Sequence, residues 1–391
     1  YTPEEFGFYG LITSMVGTFA GISAFRYGMA IVLPKDEEDG VNLLTLSLIA
    51  VGITGLLTSL IFIGGGDRIA FYYKKPELLK WLWTVPILIV LTGTYESLRN
   101  WSTRGKHFGA MSGILVGAAL VSASSKIIAG SKNYNHSGLI VGQLLGQLAG
   151  TVLMLAFVWK VGILKKLRHL SFERILSLAK KYIDFPRYNV PLTLLNASAK
   201  NLPVFGIGFF FSNSVVGLYS MAFLLLKAPA FLVSNALRQV FYQRASEIFH
   251  EQGDLYGETM KLTKIAFAIA IVPAIVFGLF STPLLSTFLG PNWKEVGLYA
   301  SIITPYFLMM FVATPSVAIF PIINMQRWIL IWQIFSFAGT LIAIAIGGYL
   351  GDPVLTIGLF SAVGTLLQIV LIAGMAYITK NPKIWQNSYK K

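Results

Sequence analysis

The chain has 391 residues, 55% of them hydrophobic and 12% charged, with a mean hydropathy of +0.67. Those proportions exclude an ordinary water-soluble surface and define an integral membrane protein. The absence of cysteine removes disulfides and thiolate metal sites from consideration, and the net charge of +14 has to be judged by where the charges fall.

A spanning helix needs about 20 mainly apolar residues. In chain order, runs of that kind are Phe6 to Leu33, Val41 to Ile63, Leu78 to Leu98, Phe108 to Gly130 and Gly138 to Trp159. After a basic break come Tyr188 to Phe211, Val215 to Val240, Leu262 to Leu285, Val296 to Phe320, Trp328 to Leu350 and Val354 to Ile378, giving eleven spans.

Alternate loops share the charge unequally. One side carries Arg99, Arg104 and Lys106, the run from Lys160 to Arg187, then Arg238, Arg244, Lys261, Lys264, Arg327 and the tail Lys380, Lys383, Lys390 and Lys391. The other side has mainly Arg68, Lys74, Lys75, Lys132 and Lys294. The excess places the first set and the C-terminus in the cytoplasm. Topology and anionic membrane lipids therefore account for the charge. No basic stretch has the form of a nucleic-acid reading motif, so no nucleic-acid partner is expected. His107, His136, His169 and His250 are scattered through loops, so neither a metal site nor a cofactor is expected.

An internal repeat organises the chain. Gly7-Phe8-Tyr9 opens the first run as Gly217-Leu218-Tyr219 opens the seventh, at an offset of 210, and Arg104 to Phe108 precedes the fourth run much as Met325 to Trp328 precedes the tenth. The second half has a run, Tyr188 to Phe211, ahead of its Gly-Leu-Tyr, and nothing before Gly7 corresponds to it. The repeat thus predicts twelve spans as six plus six, with one span missing ahead of Gly7. The resulting division is an N-terminal helix bundle over 1–160, a linker over 161–187 and a C-terminal helix bundle over 188–391. Apolar residues from Ile163 to Ile183 recur at helical spacing among Lys and Arg, which predicts an amphipathic helix lying on the cytoplasmic face.

The segments Tyr1 to Tyr9 and Arg26 to Lys35, with Asn196, Leu202-Pro203, Val216 to Ser220, Lys227-Ala-Pro229 and Phe288 to Trp293, resemble the Wzx-type polysaccharide biosynthesis flippases. The resemblance covers essentially the whole chain. It implies the multidrug/oligosaccharidyl-lipid/polysaccharide exporter superfamily: an all-α polytopic fold of two six-helix bundles, V-shaped around a central cavity. It also implies a cargo, an oligosaccharide on a polyprenyl pyrophosphate, carried from the cytoplasmic to the outer leaflet of the bacterial inner membrane for O-antigen, capsule or exopolysaccharide assembly. Polysaccharide polymerase machinery would be a partner.

Such a cargo needs a polar path, and charges inside apolar runs usually mark one. Lys200 and Lys227 sit near the middle of their runs, and Arg26 lies nearer a cytoplasmic end; these three are the candidate pyrophosphate ligands, since Lys can hold phosphate as a point charge. Gln143, Gln147 and Asn196 are candidates for hydrogen bonds to sugars. Lys126 and Arg238, near helix ends, read as anchors. Glu96 is either an i,i+3 partner of Arg99 or an ion-coupling carboxylate. Gly142, Gly146 and Gly150 share one helix face and permit close helix approach. Pro86, Pro203, Pro229, Pro273 and Pro305 fall inside runs and are candidate kinks. Trp81, Trp83, Tyr95 and Trp101 read as membrane-interface residues.

No G-x-x-x-x-G-K-[ST] loop is present, and Gly64-Gly65-Gly66-Asp67 lacks its lysine and hydroxyl. Two rivals remain. A cation-coupled multidrug-type exporter has the same architecture, but a cationic cavity repels cationic compounds. A membrane polymerase or glycosyltransferase needs a large catalytic outer loop or paired acids, and carboxylates are sparse here.

Overall fold

The computed structural model describes residues 1–251, 253–323 and 325–381, excluding the side chains of 164, 165, 229, 231–240, 243, 250, 326 and 327. Lys383, Lys390 and Lys391 of the basic tail, and the side chains of Arg238, Pro229 and Arg327, thus lie outside the described residues.

Helices account for nearly all of the described chain, because in hydrocarbon every backbone polar group must be satisfied within its own segment. The first half contains α1 (Pro3–Ala20), α2 (Glu37–Ser59), α3 (Gly66–Tyr72), α4 (Thr84–Arg104), α5 (Phe108–Ser131) and α6 (Asn135–Lys160). The short α7 (Ile163–Lys166) and α8 (Phe172–Lys181) follow. The remainder is α9 (Val190–Phe210), α10 (Asn213–His250), α11 (Leu255–Leu289), α12 (Lys294–Val312), α13 (Thr314–Ile319), α14 (Gln326–Tyr349) and α15 (Pro353–Lys380). Seven segments among the described residues are long and apolar enough to cross a membrane, on length and composition. The protein is a multi-pass membrane protein.

Several expectations differ from the structure. The run Phe6 to Leu33 is not one helix: α1 stops at Ala20, Phe25 and Arg26 take left-handed backbone with φ of 46° and 63°, and a 3-10 turn covers Tyr27–Val32. Left-handed residues cannot continue the hydrogen-bond ladder, and neighbouring groups cover what it leaves open. Thr54 Oγ1 donates to the Ser23 carbonyl at 2.8 Å. The Arg104 guanidinium donates to the carbonyls of Ile31, Pro34, Lys35 and Asp36, reaching Asp36 at 2.8 Å.

The linker is not one amphipathic helix either. Gly162 has φ 89° before α7, and Leu170 and Ser171 are extended before α8, so only ten residues, Phe172–Lys181, form its main helix. It is fastened to the acidic first turn of α2. Lys166 pairs with Glu37 at 2.7 Å, and Arg174 reaches Asp39 at 2.6 Å and Glu38 at 2.5 Å. The hydrogen bond it donates to Asp39 holds the Arg174 guanidinium above its ordinary pKa. Asn42, fully buried, donates to the His169 carbonyl at 3.1 Å and accepts from the Ser171 amide at 3.1 Å. Finally, Pro86 lies in the first turn of α4, where a missing N–H costs little, and so does not kink it. Pro203, Pro273 and Pro305 do lie inside helices.

The chain packs as two compact units, one of Tyr1 and Phe8–Asn201, the other of Thr2–Gly7 and Leu202–Lys391. In the first, α2, α4 and α6 enclose an apolar core with Val41, Leu44, Leu98, Met154 and Leu178. Tyr95 and Trp101, expected at the interface, are only 9% and 8% exposed and belong to this core. In the second, α10, α11, α13 and α15 surround Phe241, Leu255, Ile319, Ile323, Leu371 and Met375. There Ser281 donates to the Gly297 carbonyl at 2.7 Å, tying α11 to α12.

The second unit also contains the tightest backbone approach. A Cβ on Gly7 would overlap the carbonyl oxygen of Asn213, and a Cβ on Gly217 that of Pro3. The contacts pair residue 7 with 213 and residue 3 with 217.

Gly7→Ala and Gly217→Ala should therefore each push α1 from α10. Overpacking of this kind costs about 1–3 kcal/mol, read as a lower melting temperature in detergent. Asn42→Ala removes a fully buried side chain and both of its hydrogen bonds to the linker backbone, whereas Arg174→Ala removes only solvent-screened pairs. Limited trypsin digestion at Lys180 and Lys181 should be clearly faster in Asn42→Ala than in Arg174→Ala.

Candidate functional site

The break after α1 presents the first group. Arg26 is half-buried at its left-handed position; its Nη1 donates to the Gly21 carbonyl at 3.3 Å, and its buried Nε has no acceptor among the described residues. Glu96 on α4 lies within electrostatic range of Arg26 but pairs with Arg99 at 2.6 Å, the i,i+3 ion pair that the spacing suggests. A strained non-glycine residue with an unsatisfied guanidinium nitrogen is the combination found where a site holds something.

On α9, Asn196 and Lys200 are one turn apart on one face. Asn196 is half-buried and Lys200 exposed, without a hydrogen-bond or ion-pair partner among the described residues. The adjacent Asn201 turns back to donate to Thr18 Oγ1 at 3.2 Å. Lys227 on α10 is exposed in the second unit, and its Nζ lies 5.8 Å from the centroid of the Phe223 ring. Arg26, Asn196, Lys200, Gln143, Gln147 and Glu96 belong to the first unit and Lys227 to the second.

The most connected polar group is one that sequence reasoning only half found. Gln143 on α6 accepts from Lys126 Nζ on α5 at 2.8 Å and from the Tyr9 hydroxyl on α1 at 2.9 Å. Lys126 Nζ also donates to the Tyr9 oxygen at 3.1 Å and stands 5.0 Å from that ring's centroid. The Tyr1 hydroxyl donates to the Lys126 carbonyl at 2.7 Å. Lys126 is thus held between helices instead of reaching for a headgroup as an anchor. Gln143 was visible from its place beside the glycines; nothing local marks Tyr9 or Lys126 as its partners. Gln147, one turn on, is half-buried and has no hydrogen bond to this group among the described residues.

The glycines make the cluster reachable. A Cβ on Gly142 would stand 2.5 Å from Lys126 Cγ, and one on Gly150 3.0 Å from the Ala118 Cβ, so α5 and α6 lie nearly backbone to backbone. That proximity lets the Lys126 stem cross α6. Thr151 secures α6 to α4 by donating to the Leu91 carbonyl at 3.1 Å.

Two solved structures share this architecture over nearly the whole chain. The lipid II flippase MurJ, in an inward closed conformation, superposes with a TM-score of 0.74 at 12% identity, covering 98% of this chain and 83% of its own. An inward-facing multidrug resistance MATE family transporter of the MOP superfamily gives 0.67 at 15% identity, covering 96% and 92%. The chain therefore has the fold of these two proteins. In sequence, the profile of the family described as polysaccharide biosynthesis protein matches residues 1–297, and the chain belongs to that family. It is also 21% identical over 264 residues to the teichuronic acid biosynthesis protein TuaB of Bacillus subtilis, a match of 68% of this chain to 53% of TuaB. The chain thus spans about half the length of that curated relative.

Gly142→Ala should drive the Lys126 side chain off Gln143 and cost about 1–3 kcal/mol through overpacking. Gly150→Ala meets only a methyl group at 3.0 Å and should cost less. Thermal unfolding of the two variants in one detergent gives the comparison.

Proposed function

We propose that this protein is a flippase that carries a polyprenyl-pyrophosphate-linked oligosaccharide from the cytoplasmic to the outer leaflet of the bacterial inner membrane, with its C-terminus in the cytoplasm. Arg26, Lys200 and Lys227 attract the pyrophosphate; Asn196, Gln143 and Gln147 offer hydrogen bonds to sugars. The observation that carries this reading is Arg26, a permanently charged group with a buried, unsatisfied nitrogen at a strained break in an apolar helix. A charge so placed costs several kcal/mol unless it serves a path or finds a partner. Membership of a polysaccharide biosynthesis family supports a glycan cargo, and the fold of a lipid II flippase supports a lipid-linked one.

The multidrug-type exporter shares the fold, so charge separates the two readings. Lys200 and Lys227 are cations without a carboxylate partner among the described residues. They repel cationic drugs and draw an anionic headgroup.

The test is translocation of a fluorescent polyprenyl-pyrophosphate oligosaccharide by the full-length protein in liposomes. Arg26→Ala and Lys227→Ala should each slow movement by about tenfold or more, the scale of one lost charge-assisted hydrogen bond, at undiminished membrane insertion. Wild-type rates in both would remove the cationic site, and export of a cationic dye without lipid movement would favour the exporter.

A further inference from the structure

The Tyr9, Lys126 and Gln143 group is surplus to a pyrophosphate site, and its charge is of a different kind. Two of the three Lys126 N–H donors are taken, one by the Gln143 carbonyl oxygen and one by the Tyr9 oxygen, and the positive end also faces the Tyr9 ring. Every one of those partners is neutral. Among the described residues no carboxylate pairs with Lys126. The third N–H and the two N–H bonds of the Gln143 amide nitrogen have no acceptor among the described residues. The two nitrogens are close neighbours, because Nζ already touches the amide's oxygen at 2.8 Å.

We propose that Tyr9, Lys126 and Gln143 form a subsite that reads a singly charged substituent on the glycan, a sugar carboxylate, as the oligosaccharide passes the first unit. This rests on the flippase reading above. Charge matching gives the ligand class. A pyrophosphate brings two or more negative charges and calls for several cations, as Arg26, Lys200 and Lys227 would supply. One ammonium whose charge is already shared with a hydroxyl, an amide oxygen and a ring balances one negative charge. Two neighbouring N–H donors, one charged and one neutral, suit the two oxygens of a carboxylate. Gly142 is the structural condition for the site, since any larger residue would meet Lys126 Cγ at 2.5 Å or closer. The cluster also brings together three helices, α1, α5 and α6, so the lysine is positioned without a permanent counter-ion that a passing anion would have to displace.

The experiment compares two polyprenyl-pyrophosphate oligosaccharides in liposomes containing the full-length protein, identical except that one sugar is a uronate in the first and its carboxyl-reduced hexose in the second. The readout is the ratio of their translocation rates within one preparation, so that a misfolded fraction cancels. The wild-type protein should favour the uronate by about tenfold, the scale of one charge-assisted hydrogen bond. Lys126→Met should bring the ratio to about one, and Lys126→Arg should restore most of it by keeping the charge. A wild-type ratio of one, or an unchanged ratio in Lys126→Met, overturns the subsite while leaving the flippase reading intact. Movement of neither lipid by the wild-type protein overturns the flippase reading, and this inference with it.

Discussion

Everything in this protein follows from the inability of hydrocarbon to solvate a peptide group or a charge. Continuous helices satisfy the peptide groups, and where a helix breaks, a side chain takes over. The clearest case is Arg104, whose planar fork covers the carbonyls of residues around the turn from Ile31 to Asp36. Without it the carbonyls between the 3-10 turn and the start of α2 would lose these donors. The same economy explains the hydroxyls of Thr18, Ser47, Thr58, Thr263 and Thr304, which are buried and donate back to carbonyls of their own helices. Those side chains look polar in sequence and spend their donors on their own helices.

Charges obey the stricter form of that rule, and it sorts them by what surrounds them. Glu96 and Arg99 neutralise one another within a turn. Arg174 and Lys166 are matched by the acidic start of α2, where the helix dipole already favours carboxylates. Lys126, Lys200 and Lys227 have no such match among the described residues, and Arg26 is left with a buried nitrogen unsatisfied. Cations of the second kind are the ones worth assigning to a cargo. A structural role would have been served more cheaply by an apolar residue.

How much of this was legible in the sequence depended on whether the signal was local. Hydropathy placed the helical runs closely: Phe108 to Gly130 against Phe108–Ser131, and Trp328 to Leu350 against Gln326–Tyr349. The i,i+3 pairing of Glu96 with Arg99 and the glycine face of α6 were equally local and equally readable. The break after Ala20 was not, because no proline marks it and a left-handed Phe25 leaves hydropathy unchanged. The linker misled through its periodicity, since spacing of apolar residues says nothing about the extended step at Leu170 and Ser171. Lys126 was misjudged for a different reason. Its distance from a helix end suggested an anchor, while its true partners, Tyr9 and Gln143, stand 117 and 17 residues away.

Small residues decide where such distant partners can meet. Gly142, Gly146 and Gly150 look like packing residues, and they are: Gly146 faces Ser122 and Gly150 faces Ala118. Yet the same close approach shortens the distance between a lysine stem on α5 and a carboxamide on α6 until a hydrogen bond of 2.8 Å forms. At the α1–α10 crossing, Gly7 and Gly217 bring two backbones together, and their sequence neighbours Phe6, Phe8, Val216 and Leu218 are apolar. The two crossings differ only in what the neighbouring positions carry. A glycine contact in a membrane protein is therefore neutral between structure and function, and the charged or amide side chain one residue away tips it towards a site.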